Sequence, residues 1–229
     1  MKIFILAGGF GTRLQSVVSD VPKPMAPIWD NPFLDYQIEY IRKFFPEKTI
    51  YLLTHYKSKI IEDYYKDDKS IEVIKESKPL GTGGSIKNAI KRLKLENNVP
   101  LLILNGDTYI TPNLEQMTQN TREDIVILSS YQTDCSRYGT LNIDNYVITS
   151  FNEKIANSKN KYINAGCYYF NNLNFFDSIK KMVFSIESEF MSYLDNGNKI
   201  ATYPYNGIFI DIGIPEDYNK MIKHVGNNE

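Results

Sequence analysis

The chain has very little cysteine and histidine. Its 229 residues include only Cys135, Cys167, His55 and His224. Neither cysteine belongs to a Cys-x-x-Cys pair or a Cys/His cluster, so reduced thiols in a cytoplasmic protein are the plain interpretation. The two histidines stand alone in the sequence, and we expect neither of them to be catalytic.

An excess of positive charge and long apolar runs are also missing. The formal net charge is −1, which argues against nucleic acid as a partner. No apolar stretch approaches the length of a membrane span, and glycines interrupt the first one too early for a signal peptide. We therefore expect neither nucleic acid nor a membrane as a partner, and a single domain over residues 1–229.

Three glycines follow the first apolar run, Ile3 to Leu6, which predicts a buried strand. The stretch reads Leu6-Ala7-Gly8-Gly9-Phe10-Gly11-Thr12-Arg13-Leu14. Glycines let a ligand approach main-chain N–H groups, and successive N–H groups form an anion-binding concavity. Arg13 adds a guanidinium suited to phosphate oxygens, and Lys23 adds a second cation between two prolines. A polyphosphate ligand is predicted, with an ordinary tight turn as the alternative; the spacing is neither a P-loop nor a dinucleotide fingerprint.

Strands and helices alternate along the first 131 residues. The patterns predict strands at 2–6, 49–54, 71–75, 101–104 and 125–131, and helices at 32–45, 57–65, 85–93 and 113–120. This alternation predicts an α/β fold with a Rossmann-like, mostly parallel mixed sheet and helices on both faces. After residue 131, short alternating runs at 139–143, 146–151 and 162–170 predict a small β-rich half. Helices at 173–182 and 186–194, strands at 199–203 and 208–210, and a closing helix at 214–225 are predicted to follow.

Two aspartates stand at or close to the ends of apolar strands. Asp107 follows the strand that ends at Leu104, and Asp211 follows a run that ends at Ile210. Open α/β sheets place ligand chemistry at the carboxyl ends of their strands. The two carboxylates are therefore candidates to converge on Mg²⁺, which is typically held by one or two carboxylates plus substrate phosphates. Each aspartate alone is also compatible with a turn or a helix N-cap.

In combination, these motifs resemble those of the sugar-1-phosphate nucleotidylyltransferases. The resemblance covers essentially the whole chain and rests on an ordered set of matches: Leu6 to Leu14, Pro22-Lys23-Pro24-Met25, Leu80-Gly81-Thr82-Gly83-Gly84, Asn105-Gly106-Asp107, Tyr138-Gly139, Phe151-Asn152-Glu153-Lys154, Asn164-Ala165-Gly166 and Asp211 to Tyr218. It implies the nucleotide-diphospho-sugar transferase type of fold. It also implies a reaction in which a sugar 1-phosphate oxygen attacks the α-phosphorus of a nucleoside triphosphate in line. The products are a nucleotide-sugar and pyrophosphate, with no covalent enzyme intermediate.

The resemblance also implies roles for individual residues. Nucleotide binding falls to Leu6, Ala7, Gly8, Gly9, Gly11, Thr12, Arg13, Glu76, Gly81 and Thr82. Sugar-phosphate binding falls to Tyr138, Gly139, Glu153, Lys154 and Asn164. Arg13, Lys23 and Asp107 are the expected catalytic residues, and Asp107 and Asp211 are the expected ligands of the cofactor Mg²⁺. Residues 1–131 would then form the nucleotide-binding half and residues 132–229 the sugar-phosphate-binding half.

The identity of the base and the sugar depends on two further features. The family places the residue before the second glycine stretch near the base, and here it is Glu76, whose carboxylate can accept from both guanine donors. This favours GTP over UTP or dTTP, unless Glu76 is a solvated surface residue. The run from Arg13 to Pro27 is similar to the D-glycero-D-manno-heptose 1-phosphate guanylyltransferases.

We therefore expect GTP and this heptose 1-phosphate as partners, giving a GDP-heptose for surface polysaccharide. A homo-oligomer is left open. One alternative is mannose 1-phosphate or another hexose 1-phosphate as the acceptor, with GTP, UTP or dTTP as the donor. The other alternative is a non-catalytic, nucleotide-sugar-binding regulatory subunit.

Overall fold

The computed structural model describes residues 1–119, 123–152 and 156–227. Its strands are β1 (Lys2–Leu6), β2 (Pro27–Ile28), β3 (Asn31–Pro32), β4 (Ile50–Thr54), β5 (Ile71–Lys75), β6 (Leu101–Asn105), β7 (Thr108–Ile110), β8 (Ile125–Asp134), β9 (Thr140–Asp144), β10 (Val147–Asn152), β11 (Lys159–Phe170), β12 (Ala201–Tyr205) and β13 (Phe209–Asp211). Its helices are α1 (Phe33–Arg42), α2 (Ser58–Tyr65), α3 (Gly81–Arg92), α4 (Leu114–Gln119), α5 (Asn174–Ser178), α6 (Ile186–Asp195) and α7 (Pro215–Gly226), with a 3₁₀ turn at Lys23–Met25. No helix in the described ranges is long and apolar enough to cross a membrane.

The first of two compact units combines both ends of the chain and is called the terminal unit here. It consists of Lys2–Pro79, Leu104–Thr111 and Ile208–Glu229. Strands β5, β4 and β1 lie side by side in that order, all parallel, with Ile3 opposite Ile50 and Ile50 opposite Ile71. Strand β4 is buried along its whole length, as expected of a parallel strand covered on both faces.

Helices α1 and α7 contribute to one hydrophobic cluster of the terminal unit. Phe33 from α1 packs with Ile210 and Ile212 near β13, and with Met221 and Val225 from α7. All five side chains are less than one-tenth exposed, and burying such a side chain stabilises a fold by about 1.5–3 kcal/mol. The cluster therefore holds the late strand β13 against residues from the beginning of the chain.

The other unit, called the central unit here, consists mainly of Leu80–Ile103 and Pro112–Gly207. Strand β8 lies antiparallel to β11 and parallel to β12. Strand β9 pairs with both β10 and β11, and β10 also pairs with β12. Aromatic rings from Phe170, Phe175 and Phe190 pack together beside these strands, with centroids 5.4–6.3 Å apart.

The predicted α/β class with a mixed sheet is confirmed. Most strands and helices lie within two residues of their predicted bounds, although Asn120, the predicted end of α4, is outside the described residues. The predicted helix 173–182 was too long: α5 ends at Ser178, because Ile179 adopts an extended backbone and its carbonyl accepts from Lys87. The two units are interleaved in sequence, whereas the predicted halves meet once after residue 131; that functional division stays a prediction.

Candidate active site

The loop after β1 exposes a row of main-chain donors. None of the six backbone N–H groups of residues 8–13 donates a hydrogen bond to a residue that the structure describes. The carbonyls of the same loop are used: Gly8 O accepts from Tyr56 N at 3.4 Å, Phe10 O from Gln15 Nε2 at 3.0 Å, and Gly11 O from Leu14 N at 3.0 Å. The loop therefore bonds its acceptors internally and leaves its donors for an external acceptor, which is the arrangement that binds anions.

Arg13 and Lys23, the two predicted cations, differ in their surroundings. Arg13 is exposed and forms no ion pair or hydrogen bond with any described residue. Lys23 begins the 3₁₀ turn, and its ammonium forms a salt bridge with Asp107, with the lysine side chain 12% exposed and that of Asp107 30% exposed. Gly11, at φ +60°, lies so close to Lys23 that an added Cβ would stand 2.9 Å from the Cβ of Lys23. Residues 8–13, called the donor loop here, therefore form one contiguous constellation with Lys23 and Asp107 in the terminal unit.

The turn after β6 places Asp107 beside the end of β1. Gly106 N donates to Leu6 O at 3.0 Å, and a Cβ on Gly106 would lie only 2.7 Å from that oxygen. Asp107 O accepts from Ile212 N at 3.0 Å, and Asp211 is the ladder partner of Thr108 in the β7–β13 pair. The two aspartates singled out from the sequence thus lie on directly bonded neighbouring segments.

The pair of aspartates can be tested as a site for Mg²⁺. No cluster of three or more His, Cys, Asp and Glu side chains suitable for a metal occurs within residues 1–119, 123–152 and 156–227. The carboxyl oxygens of Asp107 are engaged by Lys23 and, at 3.2 Å, by the Thr108 hydroxyl. Because Mg²⁺ is commonly held by one or two carboxylates together with substrate phosphates, this donor set fits a magnesium ion that binds with its substrate.

Gln37 was missed as a site residue by the sequence reasoning. Its Nε2 donates to Asn105 O at 2.9 Å and to Thr108 O at 2.6 Å, on either side of Asp107. Gln37 is 4% exposed and lies on the buried face of α1 between Leu34 and Ile38. A polar residue on the apolar face of an amphipathic helix is the sequence feature that could have identified it.

Glu76, the predicted base-binding residue, follows β5 at the same sheet edge as the donor loop. It is only 6% exposed, so the alternative of a solvated surface residue is wrong. Its N–H donates to Thr54 O at 2.8 Å, and Gly8 packs against the next residue, His55, with 3.1 Å between an added Cβ and His55 N. The parallel strands β1, β4 and β5 therefore bring Gly8 and Glu76 to one edge.

The second glycine stretch belongs to the central unit and is helical. Helix α3 begins at Gly81, four residues before its predicted start at Ser85, because Gly83 N and Gly84 N donate to Phe184 O at 3.1 and 3.3 Å. Gly81 has φ +75°, and a Cβ there would lie 2.5 Å from the same carbonyl oxygen. These glycines allow close packing within the unit, and the nucleotide-binding role of Gly81 and Thr82 stays a prediction.

Two of the residues predicted to hold the sugar phosphate, Gly139 and Asn164, are brought together by two ladders of the central unit. Thr140 is opposite Ile163 in one ladder and opposite Asn152 in the other, so Gly139 and Asn164 lie beside the end of β10. The Tyr138 hydroxyl accepts from Arg137 Nη2 at 2.9 Å. Glu153 and Lys154 lie outside the described residues, and their roles stay predictions.

Comparison with known proteins identifies the family. A family model described as nucleotidyl transferase matches residues 2–228. The chain belongs to this family. It is 39% identical to a D-glycero-alpha-D-manno-heptose 1-phosphate guanylyltransferase of Campylobacter jejuni, over 95% of this chain and 97% of that protein. It is 37% identical to the protein of the same description from Aneurinibacillus thermoaerophilus, over 98% of each.

A solved crystal structure is also similar to this chain over nearly the whole length of both proteins. The crystal structure of HddC from Yersinia pseudotuberculosis, complexed with GMP-PN, superposes on this nucleotidyl transferase with a TM-score of 0.82. The two are 34% identical, and the match covers 98% of this chain and 99% of that chain. The resemblance found in the sequence motifs is thereby confirmed.

Proposed function

We propose that this protein transfers GMP from GTP to D-glycero-α-D-manno-heptose 1-phosphate, with GDP-heptose and pyrophosphate as products. The observation that carries the proposal is the row of six available N–H groups at residues 8–13, with Arg13 exposed beside it and Lys23 packed against Gly11. A triphosphate supplies the oxygen acceptors that such a row of donors requires. The relatives named above favour guanine and heptose among the possible bases and sugars.

Lys23 has the central chemical role in the proposed reaction. Its ammonium is paired with Asp107 in the structure. When a triphosphate binds, a phosphate oxygen can replace the carboxylate as its partner, so that Lys23 neutralises charge near the α-phosphorus and on the departing pyrophosphate. Asp107 is then released for a cation. No covalent intermediate is needed, because positioning and charge neutralisation carry most of the catalysis in phosphoryl transfer.

Mg²⁺ is the proposed cofactor, held by Asp107 and Asp211. When bound, it supplies positive charge to the phosphate oxygens. Thr108 and Gly213 hold the two carboxylates in place: Thr108 Oγ1 donates to Asp107 at 3.2 Å, and Gly213 N donates to Asp211 Oδ1 at 2.9 Å. Gln37 supports the turn that carries Asp107 through its two hydrogen bonds to main-chain carbonyls.

The base and sugar assignments rest on other residues. We propose that Glu76 accepts hydrogen bonds from the two adjacent donors of guanine. Its burial at the sheet edge, beside the donor loop, supports that role. Tyr138, Gly139 and Asn164, with Glu153 and Lys154, are proposed to hold the sugar 1-phosphate. We propose the cytoplasm, where GTP is available, as the location of the reaction, and whether the protein forms a homo-oligomer stays open.

The proposal is tested by supplying each of four nucleoside triphosphates with a panel of sugar 1-phosphates and Mg²⁺. Pyrophosphate release is measured, and the nucleotide-sugar is identified by mass spectrometry. GTP with the heptose 1-phosphate is expected to give the highest kcat/KM. Faster turnover with mannose 1-phosphate would overturn the assignment of the sugar, and a preference for UTP or dTTP would overturn the assignment of the base. No turnover with any pair would overturn the enzyme assignment. The Lys23→Ala protein, prepared in the same way, controls for contaminating activity.

A further inference from the structure

Asn164 is clamped at both ends of its side-chain amide. Its Oδ1 accepts from Gly166 N at 3.0 Å, and its Nδ2 donates to the Tyr168 hydroxyl at 2.9 Å. The first contact depends on an irregularity in β11, where Gly166 adopts φ +71° and the pairing with β8 shifts register between Asn164 and Tyr168. One N–H of the amide is left over after these two bonds.

The orientation of this amide is fixed from the side of Tyr168 as well. Tyr168 is fully buried, and burial, followed by the charge of Glu187, raises the pKa of its phenol well above the ordinary value. The neutral hydroxyl donates to Glu187 Oε1 at 3.3 Å. A carboxylate can only accept, so the phenol oxygen remains as an acceptor and the amide must present N–H to it. Gly166 and Tyr168 thus impose the same orientation on Asn164 independently.

Glu187 is itself held on its other oxygen. Oε2 accepts from Thr82 Oγ1 at 3.1 Å and from the Ser185 hydroxyl, while Thr82 Oγ1 accepts from Ile186 N at 2.9 Å. One turn later in α6, Phe190 is fully buried and stacks on Phe151 with centroids 5.7 Å apart. The carboxylate is therefore anchored by α3 and by its own helix, and one oxygen faces Tyr168.

We propose that Glu187 is a positioning residue for the sugar 1-phosphate, acting through Tyr168 to fix the Asn164 amide. This inference rests on the proposed function, because it takes Asn164 as a contact of that substrate. The hydrogen bonds run in one direction from Asn164 through Tyr168 to Glu187, so losing any donor or acceptor in this chain removes one of the two constraints on the amide and leaves only the bond from Gly166 N to hold it. In the fixed orientation the remaining N–H of Asn164 serves an oxygen acceptor, either a sugar hydroxyl or a phosphate oxygen.

Tyr168→Phe, Glu187→Ala and Glu187→Gln test the proposal in the full-length protein. Tyr168→Phe keeps the ring and removes the hydroxyl. Glu187→Gln keeps one carbonyl oxygen for Tyr168 and turns its amide N–H groups toward the hydroxyls of Thr82 and Ser185, which can both accept. Initial rates are measured while GTP and the heptose 1-phosphate are varied separately. We expect Tyr168→Phe and Glu187→Ala to raise the KM for the sugar phosphate about tenfold, the typical effect of losing one well-placed hydrogen bond.

The KM for GTP is expected to stay within about twofold of wild type in Tyr168→Phe, which leaves the contact between Glu187 and Thr82 in place, and the KM of Glu187→Gln for the sugar phosphate is expected to lie close to that of wild type. The double variant Tyr168→Phe/Glu187→Ala should be no worse than Tyr168→Phe alone, because both changes break the same chain of bonds. The matched control is Glu189→Gln, a change in the same helix as Glu187 that weakens the ion pair of Glu189 with the exposed Lys181; it should leave both KM values unchanged.

A purely structural role predicts a different pattern. Loss of folded protein would lower kcat and leave both KM values unchanged, and thermal unfolding of each variant shows what fraction is folded at the assay temperature. Unchanged KM for the sugar phosphate in Tyr168→Phe, or additive effects in the double variant, would overturn the proposal while an active wild type leaves the proposed function intact. An inactive wild type overturns the proposed function, and this inference with it.

Discussion

Gly11→Ala is expected to disable the enzyme far more than it destabilises it. Gly11 has φ +60°, a left-handed conformation that costs an L-residue about 1–2 kcal/mol. The new Cβ would also lie 2.9 Å from the Cβ of Lys23, closer than real Cβ contacts allow. Lys23 lies between two prolines that restrict its backbone, so a local change of backbone conformation cannot relieve the contact. Lys23 must therefore shift away from the new Cβ. A displacement near 1 Å at a reacting group lowers a rate about 100-fold, and we expect that loss in kcat/KM.

Gly197→Ala is the matched control for backbone strain. Gly197 has φ +80° after the end of α6, and nothing lies within 4 Å of its added Cβ. The conformational penalty is therefore the same about 1–2 kcal/mol without any displacement of a neighbour. Urea denaturation should show similar losses of unfolding free energy in both variants, while pyrophosphate release should be normal in Gly197→Ala. Equal kcat/KM for the two variants would refute the argument from contact with Lys23.

Three further predictions concern Arg13, Gln37 and Cys167. Arg13→Ala should leave the unfolding free energy within about 0.5 kcal/mol, because Arg13 has no partner among described residues, and should raise the KM for GTP about tenfold in initial-rate assays. Gln37→Leu removes the donor to two main-chain carbonyls and should lower the unfolding free energy by about 2 kcal/mol in urea titrations; an unchanged midpoint would contradict this. Burial raises the pKa of the Cys167 thiol to about 12, so iodoacetamide at pH 8 should alkylate it only after unfolding, as read by mass spectrometry. The same raised pKa means that its contribution to stability is complete below the ordinary thiol value and is lost as the pH rises toward 12.

The sequence was informative where local pattern and chemistry agree. The all-apolar β4 and the amphipathic α1 fold as their periodicity predicts, since each buries the face that the pattern marks. Asp107 and Asp211 could be singled out because both stand at strand ends, where α/β sheets place ligand chemistry. Their placement on bonded neighbouring segments agrees with the expected convergence, although their function as metal ligands stays a prediction.

Features that depend on long-range packing could not be predicted from the sequence. The stretch Gly81 to Gly84 has poor helix propensity, and its helical form is fixed by the carbonyl of Phe184, about a hundred residues later. No local sequence feature indicates the proposed role of Glu187, because a glutamate in the first turn of a helix is common. Its meaning comes only from Thr82 and Tyr168, which the fold brings to it from two distant segments.

The pairing of β13 with β7 has a consequence for how the protein is made. Asp107 leaves the ribosome roughly a hundred residues before Ile212, whose N–H bonds its carbonyl. At bacterial and eukaryotic translation speeds that interval lasts about 5–20 s. During this time Phe33 lacks the apolar partners that α7 and β13 provide. The nascent chain therefore carries an exposed apolar surface on its N-terminal segment. We expect a chaperone to bind this surface during synthesis.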